Sequence, residues 1–174
     1  MCKDQRQAVK VHIRWMICHD MPEVLAIEAA SSEFSWLEDD FIDCLRQRNC
    51  IGMVAEHDDQ VVGFMVYELC RAQIQVLNFA SSPKMRRKGI GSQMVRKLTH
   101  KLSTQRRTRI LVEIRETNLP AQLFFRESGF RAISVLRKPY EDTPEDAYLL
   151  QYRFLPEKSK DYQPTNRIIR FCGR

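Results

Sequence analysis

The residues best suited to chemistry fall in two short stretches. The first is Arg86-Arg87-Lys88-Gly89-Ile90-Gly91, which follows an apolar run, Val76 to Ala80, and a turn, Ser81-Ser82-Pro83. It opens a further run whose apolar residues are Met94, Val95, Leu98 and Leu102, a helical recurrence. The first turn of a helix has N–H groups without intrahelical partners and a partial positive charge, and glycines let an anion approach that backbone closely. Strand, glycine turn and helix in this order predict a phosphate site. The second stretch is Arg109 to Arg115, where Glu113 shares the Leu111 face of an otherwise aliphatic run. A carboxylate there is costly to bury unpaired. It either pairs with an arginine such as Arg115 or Arg131, or serves as a general base, removing a proton directly or through water.

These stretches need a scaffold, and the patterning describes one. Ala8 to Trp15 alternates apolar and polar residues and reads as a half-buried strand. Asp20, followed by Pro22 and Glu23, starts a helix that runs to about Ala30, and Ser35 with Glu38 starts a second. Cys50 to Glu56 and Val61 to Cys70 are strands around a polar hairpin turn, His57-Asp58-Asp59-Gln60, and Gly63 marks a bulge or a close backbone approach. Gln73 to Ala80 is the strand before the glycine turn, and Arg109 to Arg115 the strand after its helix. Asn118 as N-cap, Pro120 in the first turn and Gly129 as stop bound a helix over Ala121 to Ser128. Phe130 to Leu136 and Ala147 to Phe154 are strands around the polar loop Arg137 to Asp146. The fold class is mixed α/β.

With 174 residues, 44% apolar and 29% charged, the chain fits one domain with a real core. Residues 1–155 form that domain, and 156–174, rich in Lys and Arg with weak periodicity, form a basic C-terminal extension. No run is long and apolar enough for a membrane span, and the first ten residues are too polar for a secretory signal, so a soluble, cytoplasmic protein without membrane contact is expected. Six cysteines and four histidines show no metal-ligand spacing; the thiols read as reduced and structural, and no metal is expected. Net charge is +6, and between Lys84 and Arg109 there are ten basic residues and no Asp or Glu. That is either a solvated helix face or a field for a polyanion, a phosphorylated cofactor or a nucleic acid; nearness to the glycines favours the cofactor.

Arg86-x-x-Gly89-x-Gly91 after a strand resembles the acetyl-CoA pyrophosphate motif of the GNAT superfamily of N-acetyltransferases. So do Asn78 to Pro83 before it, Val112 to Asn118 and Phe124 to Phe130 after it, and finally Arg137, Tyr140 and Glu145-Asp146-Ala147. Together with Phe34-Ser35-Trp36 these are similar to RimI-type enzymes, which acetylate the α-amine of a ribosomal protein, and the similarity covers roughly Val9 to Leu155. The resemblance implies a central, mostly antiparallel twisted sheet of about seven strands with four helices, and acetyl-CoA as co-substrate.

Residue by residue, it implies that the backbone at Phe79, Ala80 and Ser81 pairs with the acetyl and pantetheine part. Arg86, Arg87, Lys88, Gly89, Ile90 and Gly91 hold the pyrophosphate, Asn118 contacts the cofactor, and Glu113 is the general base. The family's general-acid tyrosine falls on Phe125, which cannot donate a proton. Tyr140 is then a substitute acid or a substrate contact. Phe34 and Trp36 flank a peptide N-terminus, with helix packing as their other reading. The implied reaction is direct transfer of acetyl to a protein N-terminus, with a ribosomal protein as partner and ribosome proximity as the one nucleic-acid contact. The alternatives are acetylation of a lysine, polyamine or other small amine, and a weakly catalytic or non-catalytic module that binds acyl-CoA or RNA.

Overall fold

The computed structural model describes residues 8–103, 106–141 and 143–155. The strands are β1 (His12–Trp15), β2 (Cys50–His57), β3 (Gln60–Leu69), β4 (Gln73–Ser81), β5 (Arg109–Arg115), β6 (Arg131–Leu136) and β7 (Ala147–Arg153). The helices are α1 (Met21–Ser31), α2 (Glu38–Leu45), α3 (Ile90–Thr99) and α4 (Leu119–Glu127). The strands form one sheet in the order β1-β2-β3-β4-β5-β7-β6. Its β4 and β5 are parallel, whereas β1/β2, β2/β3, β5/β7 and β6/β7 are antiparallel. This is the expected mixed, mostly antiparallel sheet with four helices. No helix among the described residues is long and apolar enough to cross a membrane. The basic extension 156–174 lies outside the described residues.

The chain divides into two compact units, residues 1–69 with 77–100, and residues 70–76 with 101–174. In the first, α1 and α2 bury Val24, Ile27 and Phe41 with Val54, Phe64 and Val66 of β2 and β3. Trp36, Phe41 and Phe64 stack edge to face, with centroids 5.2 and 5.5 Å apart. The β2–β3 hairpin turns through Asp58 (φ 49°) and Asp59 (φ 58°), the two left-handed positions that a two-residue turn with the right twist requires. Opposite Gly63 the register shifts between Ala55 and Glu56. A Cβ on Gly63 would stand 3.1 Å from the Ala80 carbonyl oxygen and 3.1 Å from Met94 Sδ of α3. Both features anticipated at this glycine are present.

Three local expectations are corrected here. The first strand begins at His12, not Ala8; Val9 N–H instead donates to Lys88 O at 3.0 Å. Ser35 does not cap α2: its hydroxyl donates to Ser32 O at 2.9 Å, and Leu37 N–H donates to the Asp40 carboxylate at 2.7 Å. Asp20 does stand at the start of α1, but its carboxylate accepts from the Arg14 guanidinium at 2.7 and 2.8 Å and from Ile17 N–H at 2.8 Å, and Glu23 accepts from Val61 N–H at 2.7 Å. Distant partners take Val9 N–H and the Glu23 carboxylate, whereas at α2 a local one, Asp40, supplies the cap in place of Ser35.

In the second unit β5 is flanked by β4 and β7, and its even-numbered residues Ile110, Val112 and Ile114 are buried. Asn118 caps α4 by accepting from Ala121 N–H at 3.1 Å, and Gly129 (φ 94°) ends it, with Phe130 N–H returning to Phe125 O at 3.0 Å. Phe130 is fully buried, 5.5 Å from the Tyr152 ring.

Candidate active site

In the first unit the turn before α3 is shaped by two left-handed residues, Arg87 (φ 63°) and Gly89 (φ 77°). Gly89 is the N-cap residue and has no side chain to offer as acceptor, so no side chain caps the leading N–H groups of α3. Ile90, 2% exposed, anchors the turn in the core, while Arg86 and Arg87 are exposed. Gln93 braces the arrangement from inside α3. Its amide nitrogen donates to Val9 O at 2.6 Å and Gly89 O at 3.3 Å, and its oxygen accepts from Val11 N–H at 3.3 Å. The result is a fixed turn whose leading helical N–H groups have no side-chain cap. Upstream, the ladder of β4 with β5 covers Gln73 to Val76; Phe79, Ala80 and Ser81 lie beyond it, and Ser81 O accepts from the Ser31 hydroxyl at 3.4 Å.

In the second unit Glu113 is half-buried on β5, opposite Leu149. Its partner is Tyr140, whose hydroxyl donates to the Glu113 carboxylate. Burial first, and then the charge of Glu113 and this hydrogen bond, push the phenol pKa up, so Tyr140 stays protonated. Tyr140 is held in place by Arg115, whose guanidinium carbon lies 3.7 Å from the ring centroid. Arg115 in turn donates to Thr143 Oγ1 at 2.7 Å and faces Glu145 at 3.5 Å. Asp146 accepts from Lys138 N–H at 3.1 Å and pairs with Arg137; these contacts hold its carboxyl below the usual carboxylate range. The closing loop is thus tied to the end of β5, and it presents one hydroxyl to one carboxylate. Arg131 is engaged elsewhere, donating to Arg126 O and Phe130 O at the end of α4.

The remaining anticipated residues take other places. Phe125 is 4% exposed and stacks edge to face on Phe124 and Phe130 at 5.0 and 5.1 Å, a packed helix residue. Asn118 is exposed and its oxygen serves as the α4 cap. Trp36 packs on Phe41, and Phe34 is half-buried in the same connection between α1 and α2. Gln93 and Glu28 escaped the sequence reading. Glu28, 2% exposed, accepts from Trp36 N–H at 3.0 Å. Among the described residues no group of three or more His, Cys, Asp or Glu side chains could hold a metal ion.

The chain is 26% identical over 142 residues to a putative ribosomal protein bS18-alanine N-acetyltransferase of Bacillus subtilis, spanning 81% of this chain and 94% of that one. The ribosomal-protein-S18-alanine N-acetyltransferase of Escherichia coli superposes with a TM-score of 0.74 at 20% identity, over 88% of this chain and all of the other. Ard1 of Thermoplasma volcanium superposes with a TM-score of 0.76 at 26% identity, over 85% of this chain and all of the other. The pattern of the acetyltransferase (GNAT) family matches residues 14–130, well over half the chain. On this match, with the fold and the glycine turn as described, the chain belongs to the acetyltransferase (GNAT) family and is an N-acetyltransferase.

Proposed function

We propose that the enzyme acetylates the N-terminal α-amine of a protein, a ribosomal protein being the favoured substrate, by direct transfer from acetyl-CoA. The reading rests on one observation above the others: a half-buried carboxylate, Glu113, held by a phenol that stays protonated. The α3 turn suits a pyrophosphate, since it combines uncapped N–H groups with a run that carries ten basic residues and no acid. In this reading Arg86 to Gly91 hold the pyrophosphate, the backbone of Phe79, Ala80 and Ser81 aligns the pantetheine arm, and Asn118 contributes its amide. Bound acetyl-CoA supplies an acetyl group activated as a thioester.

Glu113 takes the proton that the amine must lose. Tyr140 orients that carboxylate; with its pKa raised it is a far weaker acid than the thiol, so water or the ammonium of the intermediate returns the proton that Phe125 cannot supply. A thiol of pKa about 8.5 leaves tolerably near neutral pH, which limits the penalty of the missing tyrosine. An α-amine, of pKa about 7.7 to 8.0, asks roughly 3.5 kcal/mol less of a lone carboxylate than a lysine of about 10.4. The nearby acids argue the same way. Glu145 and Asp146 are engaged by Arg115, Arg137 and Lys138, which leaves little for a polyamine's extra charges. Phe34 and Trp36 would flank the incoming peptide. A ribosomal substrate would be met in the cytoplasm.

Thiol release from acetyl-CoA, measured against peptides with different first residues and against free lysine and spermidine, tests the reading. Glu113→Gln should lower turnover by about 10² to 10⁴. Full activity in that variant would remove Glu113 as base, and a preference for spermidine would favour the small-amine alternative. A thermal shift with coenzyme A but no turnover on any amine would leave a binding module.

A further inference from the structure

Glu113 and Arg115 stand two residues apart on β5, so they point to the same face of the sheet, about 7 Å apart along the strand. Tyr140 spans that interval. Its ring lies against the Arg115 guanidinium, 3.7 Å from carbon to centroid, and its hydroxyl donates to the Glu113 carboxylate. Cation, ring and carboxylate thus form a row with the phenol in the middle. Arg115 is fixed at both ends: its carbonyl accepts from Gln122 Nε2 of α4 at 3.1 Å, and its Nη1 donates to Thr143 Oγ1 at 2.7 Å.

The closing loop is attached at points other than Arg115. Leu136 pairs with Ala147 where β6 and β7 meet it. Glu116 N–H donates to Asp146 O at 3.0 Å, Asp146 N–H returns to the Glu116 carboxylate at 3.3 Å, and Arg137 pairs with Asp146. Nor is the guanidinium aimed to serve an ion pair best. Glu145 Oε2 lies 3.5 Å from its Nη1 and is buried without a hydrogen bond, so the planar cation forgoes the fork it could make with that carboxylate and lies on the ring. Such a stacked contact is strongest where water is excluded, and the Arg115 side chain is 19% exposed. Burial raises the phenol pKa most and Glu113 raises it further, whereas the charge of Arg115 acts the other way, which strengthens the O–H as donor to the carboxylate.

We infer that Arg115 is a positioning residue for acetyl transfer: it holds the Tyr140 ring so that the hydroxyl fixes the direction in which the Glu113 carboxylate receives the acceptor's proton. The inference rests on the proposed role of Glu113 as base. Arg115 touches no reacting atom in it and acts through Tyr140 alone. A glutamate side chain has several rotamers, and proton transfer needs its oxygen within about 2.6 to 3.2 Å of the donor. Ordering that carboxylate before the acceptor arrives leaves less to be ordered in the transition state.

The test is a double-variant comparison of thiol release from acetyl-CoA with a saturating peptide, read beside melting temperatures of the full-length protein. Tyr140→Phe keeps the ring and removes the hydroxyl, and should lower kcat by about 10- to 100-fold, the range for one hydrogen bond to a charged group. Arg115→Met should lower kcat by about 10-fold and leave the KM for acetyl-CoA unchanged. In the Tyr140→Phe background the same substitution should cost no further rate, because the hydroxyl it positions is gone, yet it should lower the melting temperature equally in both backgrounds. A merely structural arginine would slow the enzyme in both. Arg115→Lys keeps the charge beside Glu145 and loses the planar face, so it should restore the melting temperature but only part of the rate. Should Arg115→Met fail to fold, Arg115→Lys is carried through the same two backgrounds. Independent, multiplying losses from Arg115 and Tyr140, or a native rate in Arg115→Lys, would overturn the inference. Glu113→Gln separates it from the reading beneath it: full activity there removes the base and this inference with it, whereas loss there beside independent Arg115 and Tyr140 effects removes the inference alone.

Discussion

The backbone N–H of Trp36 donates to the carboxylate of Glu28 at 3.0 Å, although Glu28 is 2% exposed and sits on α1. The main-chain carbonyl of Glu28 also accepts from Ser32 N–H at 2.9 Å and from the Ser35 hydroxyl at 3.4 Å. Glu28 therefore ties three points of the turn between α1 and α2, the turn that carries Phe34 and Trp36. Glu28→Ala should cost about 1 to 3 kcal/mol by leaving the Trp36 N–H unsatisfied. It should also raise the peptide KM several-fold while coenzyme A affinity stays the same. Glu28→Gln, which keeps an acceptor, should recover most of both; denaturant melts and initial rates give the comparison.

Gly63→Ala should weaken the cofactor site from a distance. The new methyl would meet the Ala80 carbonyl oxygen and Met94 Sδ at 3.1 Å each, so the β4 backbone or the Met94 side chain of α3 must give by a few tenths of an ångström next to the turn proposed to hold the pyrophosphate. Overpacking of this kind costs about 1 to 3 kcal/mol. Calorimetry should find a several-fold lower affinity for coenzyme A and a lower melting temperature; unchanged affinity would detach that turn from the β3 surface.

Acid stability should depend on Asp20. The hydrogen bonds from Arg14 hold its pKa below the usual carboxylate value, so the stabilisation is present above the unfolded pKa of about 3.9 and is lost as pH falls below it. Asp20→Asn leaves a half-buried guanidinium with Glu56 as its remaining ion-pair partner and should cost about 3 kcal/mol near neutral pH. Unfolding free energy measured from pH 7 down to 3 should fall less steeply in the variant. Parallel curves would assign the acid loss to other carboxylates.

Phe125→Tyr separates packing from acid catalysis. A hydroxyl added to the Phe124, Phe125 and Phe130 cluster should lower stability by about 1 to 3 kcal/mol if it stays unsatisfied. If proton return to the leaving thiol limits turnover, the thiol-release rate should rise. A less stable enzyme of unchanged rate would show that water or the ammonium of the intermediate already suffices.

The parts of this molecule legible in its sequence are those fixed by short-range physics. Arg109 to Arg115 is the strand expected, residue for residue, because its alternation is strict; α4 was bounded by Asn118, Pro120 and Gly129; and the hairpin turn and the glycine loop fell where Asp58-Asp59 and Gly89 put them. What went unread depended on distant partners. Val9 looked like part of a strand until the Lys88 carbonyl took its N–H, and Glu23 looked like half of a capping box until Val61 N–H claimed its carboxylate. Glu28 has the sequence appearance of a solvated helix residue, and the Tyr140–Glu113 pair joins a loop without periodicity to a strand through Arg115.

The turn at Gly89 is fixed by two left-handed residues and braced by Gln93, so as the proposed diphosphate seat it would need little reorganisation. In the proposed reading this seat would hold the diphosphate and not the acyl end. Under the proposed reading, spent coenzyme A should occupy it almost as well as the acetylated form, and product should inhibit at concentrations close to the KM for donor. The rate of modification would then follow the cellular ratio of acetylated to free coenzyme A, making the enzyme a reporter of carbon supply.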